Sequence, residues 1–416
     1  MSQSNLASTL PNRAARRTKA NNVPSHNASS HNTPSHLEIQ QAIAQLTRGD
    51  FHQKWDSVKQ LSAQFIEWGD RAIPPLIEQL QTETDPENQG FLIRLLSQFN
   101  RPAVIEAIAT LLVETNDPDV QTEATKALTK IGTNAIQTLS KQLNSSSTSQ
   151  QILAAKALSR IRRTPVIEPL LGIANHPEPE LRAIAIEALG SFHDPRITPI
   201  LIAATQDEPT ISKEAIRTLG RRSDLIATVD IIAPLSQALQ SPSTAIAKES
   251  AIALGRLGTT AAVSSLAHLL SQPKPTPVKI AAVRALGWNR SRLAVEALAE
   301  AFGYNAIKLS LEAKLEIARS LGQVRADYLK PIAAEQLVHW LTALQDRRSH
   351  SSANAIDEFN NPLVQTVILS LARLGSTDAI EPLIKLLSDA DARIRMHARS
   401  ALRQIDPNNK HLLPHQ

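Results

Sequence analysis

Residues 379–405, AIEPLIKLLSDADARIRMHARSALRQI, consist of two apolar segments separated by a short polar turn. The apolar residues of 392–405 recur at the spacing of an amphipathic helix. Residues 378–387 predict a shorter and more apolar helix, and SDAD at 388–391 predicts the turn between the two. We therefore expect a helix pair here, and we designate its members helix A and helix B in chain order.

The same pattern recurs along the chain from residue 37. An apolar residue near the end of each helix B, which we call the marker residue, falls at Phe65, Leu96, Leu128, Leu158, Leu189, Leu219, Leu254, Leu286, Leu321, Leu371 and Leu402. A single helix pair cannot bury its apolar face, whereas a stack of pairs builds a continuous core. The sequence therefore predicts an all-α fold, an α-solenoid of about eleven helix pairs over residues 37–405.

Two further features recur around the marker residues. The residue four positions earlier, one turn away on the same helix face, is small in most repeats, which would let successive helices B approach closely; it is Ala124, Ala154, Ala185, Ala215, Ser250, Ala282 and Ala398. Glycine follows several helices B, at Gly132, Gly258 and Gly375, where we expect it to end the helix in a left-handed conformation.

Helix A carries a recurring proline. Because proline lacks a backbone donor, we expect it to bend helix A at one fixed place in each repeat. The prolines concerned are Pro75, Pro169, Pro199, Pro234 and Pro382.

The repeat of about thirty residues, with 379–405 as its best copy, resembles the HEAT-like repeats of the phycobilisome-lyase class. EALGSFHDPRITPIL at 187–201 and AIALGRLGTTAAVSSLAHLL at 251–270 share the resemblance. It implies a right-handed armadillo/HEAT-like superhelix whose concave side is lined by helices B, in a cyanobacterial or plastid setting. The functions it implies are varied, because relatives include bilin-attaching lyase subunits, phycobilisome-degradation adaptors and plain scaffolds.

Three segments fall outside the repeat pattern. Residues 1–36 are polar, contain four bases and no acid, and predict a disordered basic tail, with an organellar transit peptide as the alternative. Residues 345–362 lack helical periodicity and predict a loop insertion between helices A and B of the tenth pair, either a tolerated loop or a flexible partner-binding element. Residues 406–416 are expected to form a C-terminal tail.

The sequence offers no catalytic constellation. There is no cysteine, no Walker-type or dinucleotide-binding glycine motif, no HExxH and no apolar run long enough to span a membrane. Deoxyhypusine hydroxylases, which are HEAT-repeat enzymes, bind iron through His-Glu dipeptides, and none of the twelve histidines here precedes a glutamate. We therefore expect no metal, no cofactor and no catalytic residue.

Bases dominate one face of helix B. The positions two before and two after each marker residue, from 94 to 373, are four apart and share a face. These eighteen positions hold one acid, Glu187, and eleven bases: Arg94, Lys126, Lys130, Lys156, Arg160, Arg217, Arg221, Arg256, Arg284, Arg319 and Arg373. The resemblance places this face on the concave side, where it would form a basic partner-binding surface.

Helix electrostatics is the alternative explanation of this pattern. A glutamate five residues before the marker recurs at Glu123, Glu214, Glu249 and Glu316, and three of these precede a base by three residues, a spacing that stabilises a helix. Acids early and bases late also suit the helix dipole. Five bases have no partner in this scheme: Lys130, Arg160, Arg221, Arg256 and Arg373.

These patterns predict a non-catalytic scaffold or adaptor that binds a protein with an acidic surface, in the assembly or turnover of phycobilisomes or photosynthetic complexes. The alternative is a bilin lyase or isomerase subunit, because the propionates of a bilin are also acidic. Nucleic acid fits poorly, since the chain after residue 36 has forty bases against thirty-nine acids and few aromatic residues. We expect a cytoplasmic protein, peripheral to thylakoids in such a setting, or a plastid protein if the tail is a transit peptide.

Overall fold

The computed structural model describes residues 34–289, 291–303, 309–350 and 361–407. In these segments the chain forms twenty-two α-helices and no β-strand. The helices alternate as A and B along the chain, which gives the eleven pairs that the sequence predicts. Each pair packs on the next, so the fold is an all-α solenoid.

The helix bounds follow the repeat. Helices A are α1 (His36–Thr47), α3 (Ile73–Thr82), α5 (Pro102–Glu114), α7 (Thr133–Gln142), α9 (Ile167–Ile173), α11 (Ile197–Ala204), α13 (Ile232–Leu239), α15 (Thr260–Ser271), α17 (Arg292–Gly303), α19 (Lys330–His350) and α21 (Ile380–Lys385). Helices B are α2 (Phe51–Trp68), α4 (Pro86–Leu96), α6 (Pro118–Ile131), α8 (Thr148–Arg160), α10 (Pro179–Leu189), α12 (Pro209–Leu219), α14 (Thr244–Leu257), α16 (Thr276–Trp288), α18 (Leu311–Leu321), α20 (Asn361–Leu374) and α22 (Ala392–Ile405).

Residues in and directly after the A–B turn determine where helix B begins. Before each of α2, α4, α6 and α22, the side chain of an aspartate accepts a hydrogen bond from a backbone N–H group of the first turn. These aspartates are, in order, Asp50, Asp85, Asp117 and Asp391. Proline then occupies the first helical position of α4, α6, α10 and α12. Both choices suit a helix start, where backbone donors have no intrahelical partner.

The marker residues form the spine of the core. All eleven are buried, and the seven small residues four positions before them are completely inaccessible to solvent. The three predicted terminal glycines, Gly132, Gly258 and Gly375, all have a positive φ, as expected. Local glycine chemistry therefore ends helix B, while burial of the marker residue fixes which face it turns to the core.

The prolines of helix A lie in its first turn and not inside the helix, where the predicted bend would require them. Pro75, Pro169, Pro199, Pro234 and Pro382 are each the third residue of their helix. In α3 the first intrahelical bond runs from the Leu76 N–H to the Ala72 carbonyl, immediately after Pro75. Because the missing donor falls where none is needed, the recurring proline marks the start of helix A.

Two predicted boundaries shift. Ser35 and Glu38 form a reciprocal capping box, so residues 35–36 belong to the first pair rather than to the tail. Helix α19 continues through His350 and α20 begins at Asn361, so the ends of the predicted insertion are helical. Gln345 Nε2 donates to the Pro382 carbonyl in the next repeat, which anchors this extension. Residues 1–33, 351–360 and 408–416 lie outside the described segments.

Candidate functional site

Successive helices B approach one another closely. In five repeats a glycine directly after the marker faces the residue directly before the next marker, in the pairs Gly190–Thr218, Gly220–Ala253, Gly255–Ala285, Gly287–Ser320 and Gly322–Ser370. A β-carbon added at Gly220 would lie 2.6 Å from the Cβ of Ala253, closer than side chains pack. Over most of the stack, helices A are in looser contact than helices B. Closer spacing of one layer curves a stack toward that layer, as the expected concave position of helices B requires.

The predicted basic face divides into two columns on these helices. The upstream column, two residues before each marker, contains Arg94, Lys126, Lys156, Arg217, Arg284 and Arg319. The downstream column, two residues after each marker, contains Lys130, Arg160, Arg221, Arg256 and Arg373. The two columns differ in their ion pairs.

Every base of the upstream column has an acidic partner. In the first half of the stack, Arg94 Nε lies 2.9 Å from Glu123 Oε2, and Lys126 Nζ lies 2.9 Å from Glu123 Oε1. Lys156 Nζ lies 2.8 Å from Glu180 Oε1 in α10. Arg94 and Lys156 therefore connect one helix B to the next.

The same arrangement recurs further along. Arg217 contacts Glu214 of its own helix at 2.7 Å and Glu249 of α14 at 3.3 Å. Arg284 contacts Glu316 of α18 at 2.7 Å, and Arg319 reaches the same carboxylate at 3.6 Å. The three predicted pairs within a helix are thus present, and links between repeats, which were not predicted, accompany them.

Glu123 shows how such a shared carboxylate responds. The hydrogen bond from Arg94, supported by that from Lys126, holds the pKa of Glu123 below its usual 4.5, although partial burial acts in the opposite direction. Its counterparts raise the pKa of the cations: Glu249 raises that of Arg217, and Glu316 raises that of Arg284. Upstream bases and acids therefore largely neutralise each other.

The downstream column is different. Lys130, Arg160, Arg256 and Arg373 are exposed, and none has an ion pair in the part of the chain that the structure describes. Arg221, also predicted to be unpaired, follows the end of α12 and approaches Glu214 of that helix at 3.8 Å, so that prediction is corrected. The other downstream positions from 98 to 323 are uncharged, and one of them, Trp288, is 56% exposed.

A second recurring device was missed from the sequence. In six repeats the residue seven positions before the marker donates a side-chain hydrogen bond to a backbone carbonyl of the A–B turn. These residues are Gln89, Gln121, Gln151, Arg182, Ser212 and Arg395. Arg182 also donates two hydrogen bonds, each of 2.7 Å, to the carboxylate of Asp207 in the A–B turn of the next repeat. This position was missed because its residue type varies between Gln, Arg and Ser from repeat to repeat, although each of these side chains can donate a hydrogen bond.

No group of three His, Asp or Glu side chains in the described segments is arranged to hold a metal ion. No helix among the described residues is long and apolar enough to cross a membrane.

Comparisons with known families agree with this geometry. The model of HEAT repeats matches residues 73–159, 167–231, 198–287 and 232–309, which together make up more than half of the chain. The model of the PBS lyase HEAT-like repeat matches residues 365–389. A search of curated proteins returned no match.

Several solved structures are similar to this chain at low identity. A crystal structure of importin beta is 12% identical, with a TM-score of 0.54 over 90% of this chain and 58% of that chain. Kap95p, from a study of its binding to RanGDP, is 12% identical with a TM-score of 0.48, over 89% and 54%. Human deoxyhypusine hydroxylase is 18% identical with a TM-score of 0.27, over 76% and 98%.

At these identities the structural likeness concerns the fold alone. The family matches and the eleven stacked helix pairs lead to the same assignment. This chain belongs to the HEAT-repeat family, and one of its repeats is of the PBS lyase HEAT-like type.

Proposed function

We propose that this chain is a non-catalytic adaptor that holds an acidic surface of a protein partner along the downstream column. The observation that carries the proposal is the division of the basic face. Upstream bases form ion pairs with carboxylates, whereas Lys130, Arg160, Arg256 and Arg373 form none in the described segments.

Charge placement supports an electrostatic role. Bases without ion pairs at the same position of the third, fourth, seventh and tenth helix pairs produce a local positive potential, even in a chain whose folded part is nearly neutral. Such a potential increases association rates and favours acidic partners over basic ones. The recruiting surface is therefore the downstream column rather than the face as a whole.

Trp288 adds an apolar anchor to the column. Tryptophan and arginine are the residues most often found at the energetic centres of protein interfaces. Trp288 lies in the downstream column one repeat after Arg256, and more than half of its surface is free. A partner that carries carboxylates around an apolar pocket would match this pair of neighbouring repeats.

The setting we propose is the assembly or turnover of phycobilisomes or photosynthetic complexes. It is supported by the PBS lyase HEAT-like repeat at residues 365–389, which includes the downstream base Arg373. The same match favours a second candidate, a bilin lyase-type subunit. Mixing the purified chain with phycocyanobilin separates the two, because only the lyase-type candidate predicts a shift in visible absorption.

A defined acidic probe tests the adaptor proposal. We expect short poly-L-glutamate to bind the wild-type chain with an affinity that falls as salt is added. Replacement of Lys130, Arg160, Arg256 and Arg373 by Gln should weaken this binding. Equal binding by the variant and the wild type would overturn the proposal.

A further inference from the structure

A cleft of about 310 Å³ lies where α6 and α8 end side by side. Residues 129–134 and 160–163 line it, and no acid is among them. Four bases contribute to the lining: Lys130, Arg160, Arg162 and Arg163. All four are exposed, and within the described segments none has a side-chain hydrogen bond or ion pair.

The surrounding sequence is unusually basic. Residues 124–167 contain seven bases and no acid, whereas the rest of the chain after residue 36 contains thirty-three bases and thirty-nine acids. Lys126 and Lys156 are paired with Glu123 and Glu180, which lie outside this stretch. The fourth pair, α7 and α8, therefore contains no carboxylate, and none lines the cleft.

The helix dipole accounts for only part of this cluster. Lys130 and Arg160 lie in the last turns of α6 and α8, where a positive charge is favoured. Arg162 and Arg163 follow the C-cap of α8 at Ile161, beyond the helix that such a charge would serve. Within the described residues these two guanidinium groups form no ion pair or side-chain hydrogen bond, so they add charge repulsion at this place.

We propose that the cleft binds the phosphoryl group of a phosphorylated serine or threonine on the protein partner. This inference rests on the proposed function, because it takes the ligand to be a protein. A phosphoryl group carries a charge of about −1.5 to −2 and three acceptor oxygens, whereas a carboxylate would neutralise one base of the four. Guanidinium groups match such oxygens with paired hydrogen bonds.

A nucleic acid fits this cleft less well than a phosphorylated side chain. Single-stranded nucleic acids are held by aromatic side chains that stack on the bases, in addition to cations. None of the residues that line the cleft is aromatic. The cleft can therefore bind an oxyanion, but it has no aromatic side chain on which a nucleobase could stack.

Three short peptides of otherwise identical Gly-Ala sequence test the site, with a phosphoserine, a serine or a glutamate at the centre. Fluorescence anisotropy should show the phosphoserine peptide binding the wild-type chain most tightly. Replacement of Arg160, Arg162 and Arg163 by Gln should weaken its binding by at least about tenfold, since each charge-assisted hydrogen bond is expected to be worth roughly that factor.

The matched control replaces Lys126, Lys141 and Lys156 by Gln. It removes the same charge from the two repeats that form the cleft, and none of the three lysines lines the cleft. The control should bind the phosphopeptide within about twofold of wild type, because long-range attraction is largely screened at physiological salt.

Three results would overturn the inference: equal binding of the serine and phosphoserine peptides, equal weakening by both triple variants, or tighter binding of an RNA oligonucleotide than of the phosphopeptide. Poly-L-glutamate binding that still depends on Arg256 and Arg373 would leave the proposed function standing in each case. Loss of that dependence would remove the proposed function instead.

Discussion

Arg94 of α4 and Glu123 of α6 are joined by a hydrogen bond of 2.9 Å between Nε and Oε2, across the boundary of the second and third helix pairs. Arg217–Glu249 and Arg284–Glu316 repeat this relationship thirty-two residues apart. A base that the sequence places on a binding face thus serves the stacking of repeats. Within the described residues no base of the downstream column links one repeat to the next, so the proposed function assigns stability to one column and recruitment to the other.

The Arg94–Glu123 pair predicts a pH-dependent contribution to stability. The pKa of Glu123 is below 4.5 in the folded chain, so the pair contributes fully above that pH and is lost as the pH falls through the folded pKa. Urea unfolding should show that Glu123→Gln lowers the free energy of unfolding by about 0.2–1 kcal/mol near neutral pH. This difference should shrink in acid. A difference that stays constant to the lowest pH tolerated would contradict the assignment.

The close approach of helices B predicts that glycine cannot be replaced there. A β-carbon at Gly255 would lie 2.6 Å from Ala285 Cβ and 2.9 Å from its Cα, so Gly255→Ala should destabilise by about 1–3 kcal/mol. Gly172 in α9 has no atom within 4 Å of the same position. Gly172→Ala should stabilise by up to about 1 kcal/mol, because alanine favours a helix. Thermal melts of both variants check the opposite signs, and two shifts of the same sign would refute the packing account.

We expect the side-chain hydrogen bonds to the A–B turns to contribute most to the free energy of unfolding where they are shielded from water, as at Arg182. Its side chain is 16% exposed and joins two A–B turns through Asp207 and the carbonyls of His176 and Pro177. Arg182→Lys removes the paired geometry and should cost about 1–3 kcal/mol in urea unfolding.

Arg196 is the matched control for Arg182. It also binds an aspartate with two donors and an acid of the preceding repeat, but its side chain is 54% exposed. Arg196→Lys should cost clearly less, because water screens the exposed pair. Equal losses for the two lysine variants would show that burial does not decide the strength of these anchors.

Trp288 predicts a binding defect without a folding defect. Trp288→Ala should weaken binding of the protein partner by about tenfold or more if the ring is an interface anchor. The melting temperature should hardly change, because the ring is 56% exposed. Tyr328, which is 70% exposed but lies outside both columns, provides the control Tyr328→Ala. The anchor is refuted if both variants bind the partner as the wild type does.

The fold was predictable because its determinants are local and repeat. The marker residues, the small residues one turn earlier and the terminal glycines each have the same physical role in every pair in which they occur. The prolines misled because the sequence does not show where helix A begins. Once Ile73 is the first residue of α3, Pro75 falls in the first turn and removes no bond.

The position of the basic face could be predicted from the sequence, but its division into a paired upstream column and a largely unpaired downstream column could not. Sequence spacing pairs Glu123 with Lys126, since both lie on one helix. Its pairing with Arg94 depends on how far one helix B slides along the next, which side-chain packing decides. Arg221 was missed for another reason: its long side chain reaches back two turns to Glu214, beyond the spacing considered.

The central claim is that the downstream column recruits the partner while the upstream column holds the repeats together. Two variants with the same loss of charge test it: Lys130, Arg160, Arg256 and Arg373 to Gln, and Arg94, Lys156, Arg217 and Arg284 to Gln. The decisive measurement is the Kd for poly-L-glutamate, paired with the melting temperature of each variant. We predict that the downstream variant loses binding and keeps its melting temperature, whereas the upstream variant melts earlier and still binds. A downstream variant that binds as wild type does, or that unfolds while the upstream variant stays stable, would contradict the claim.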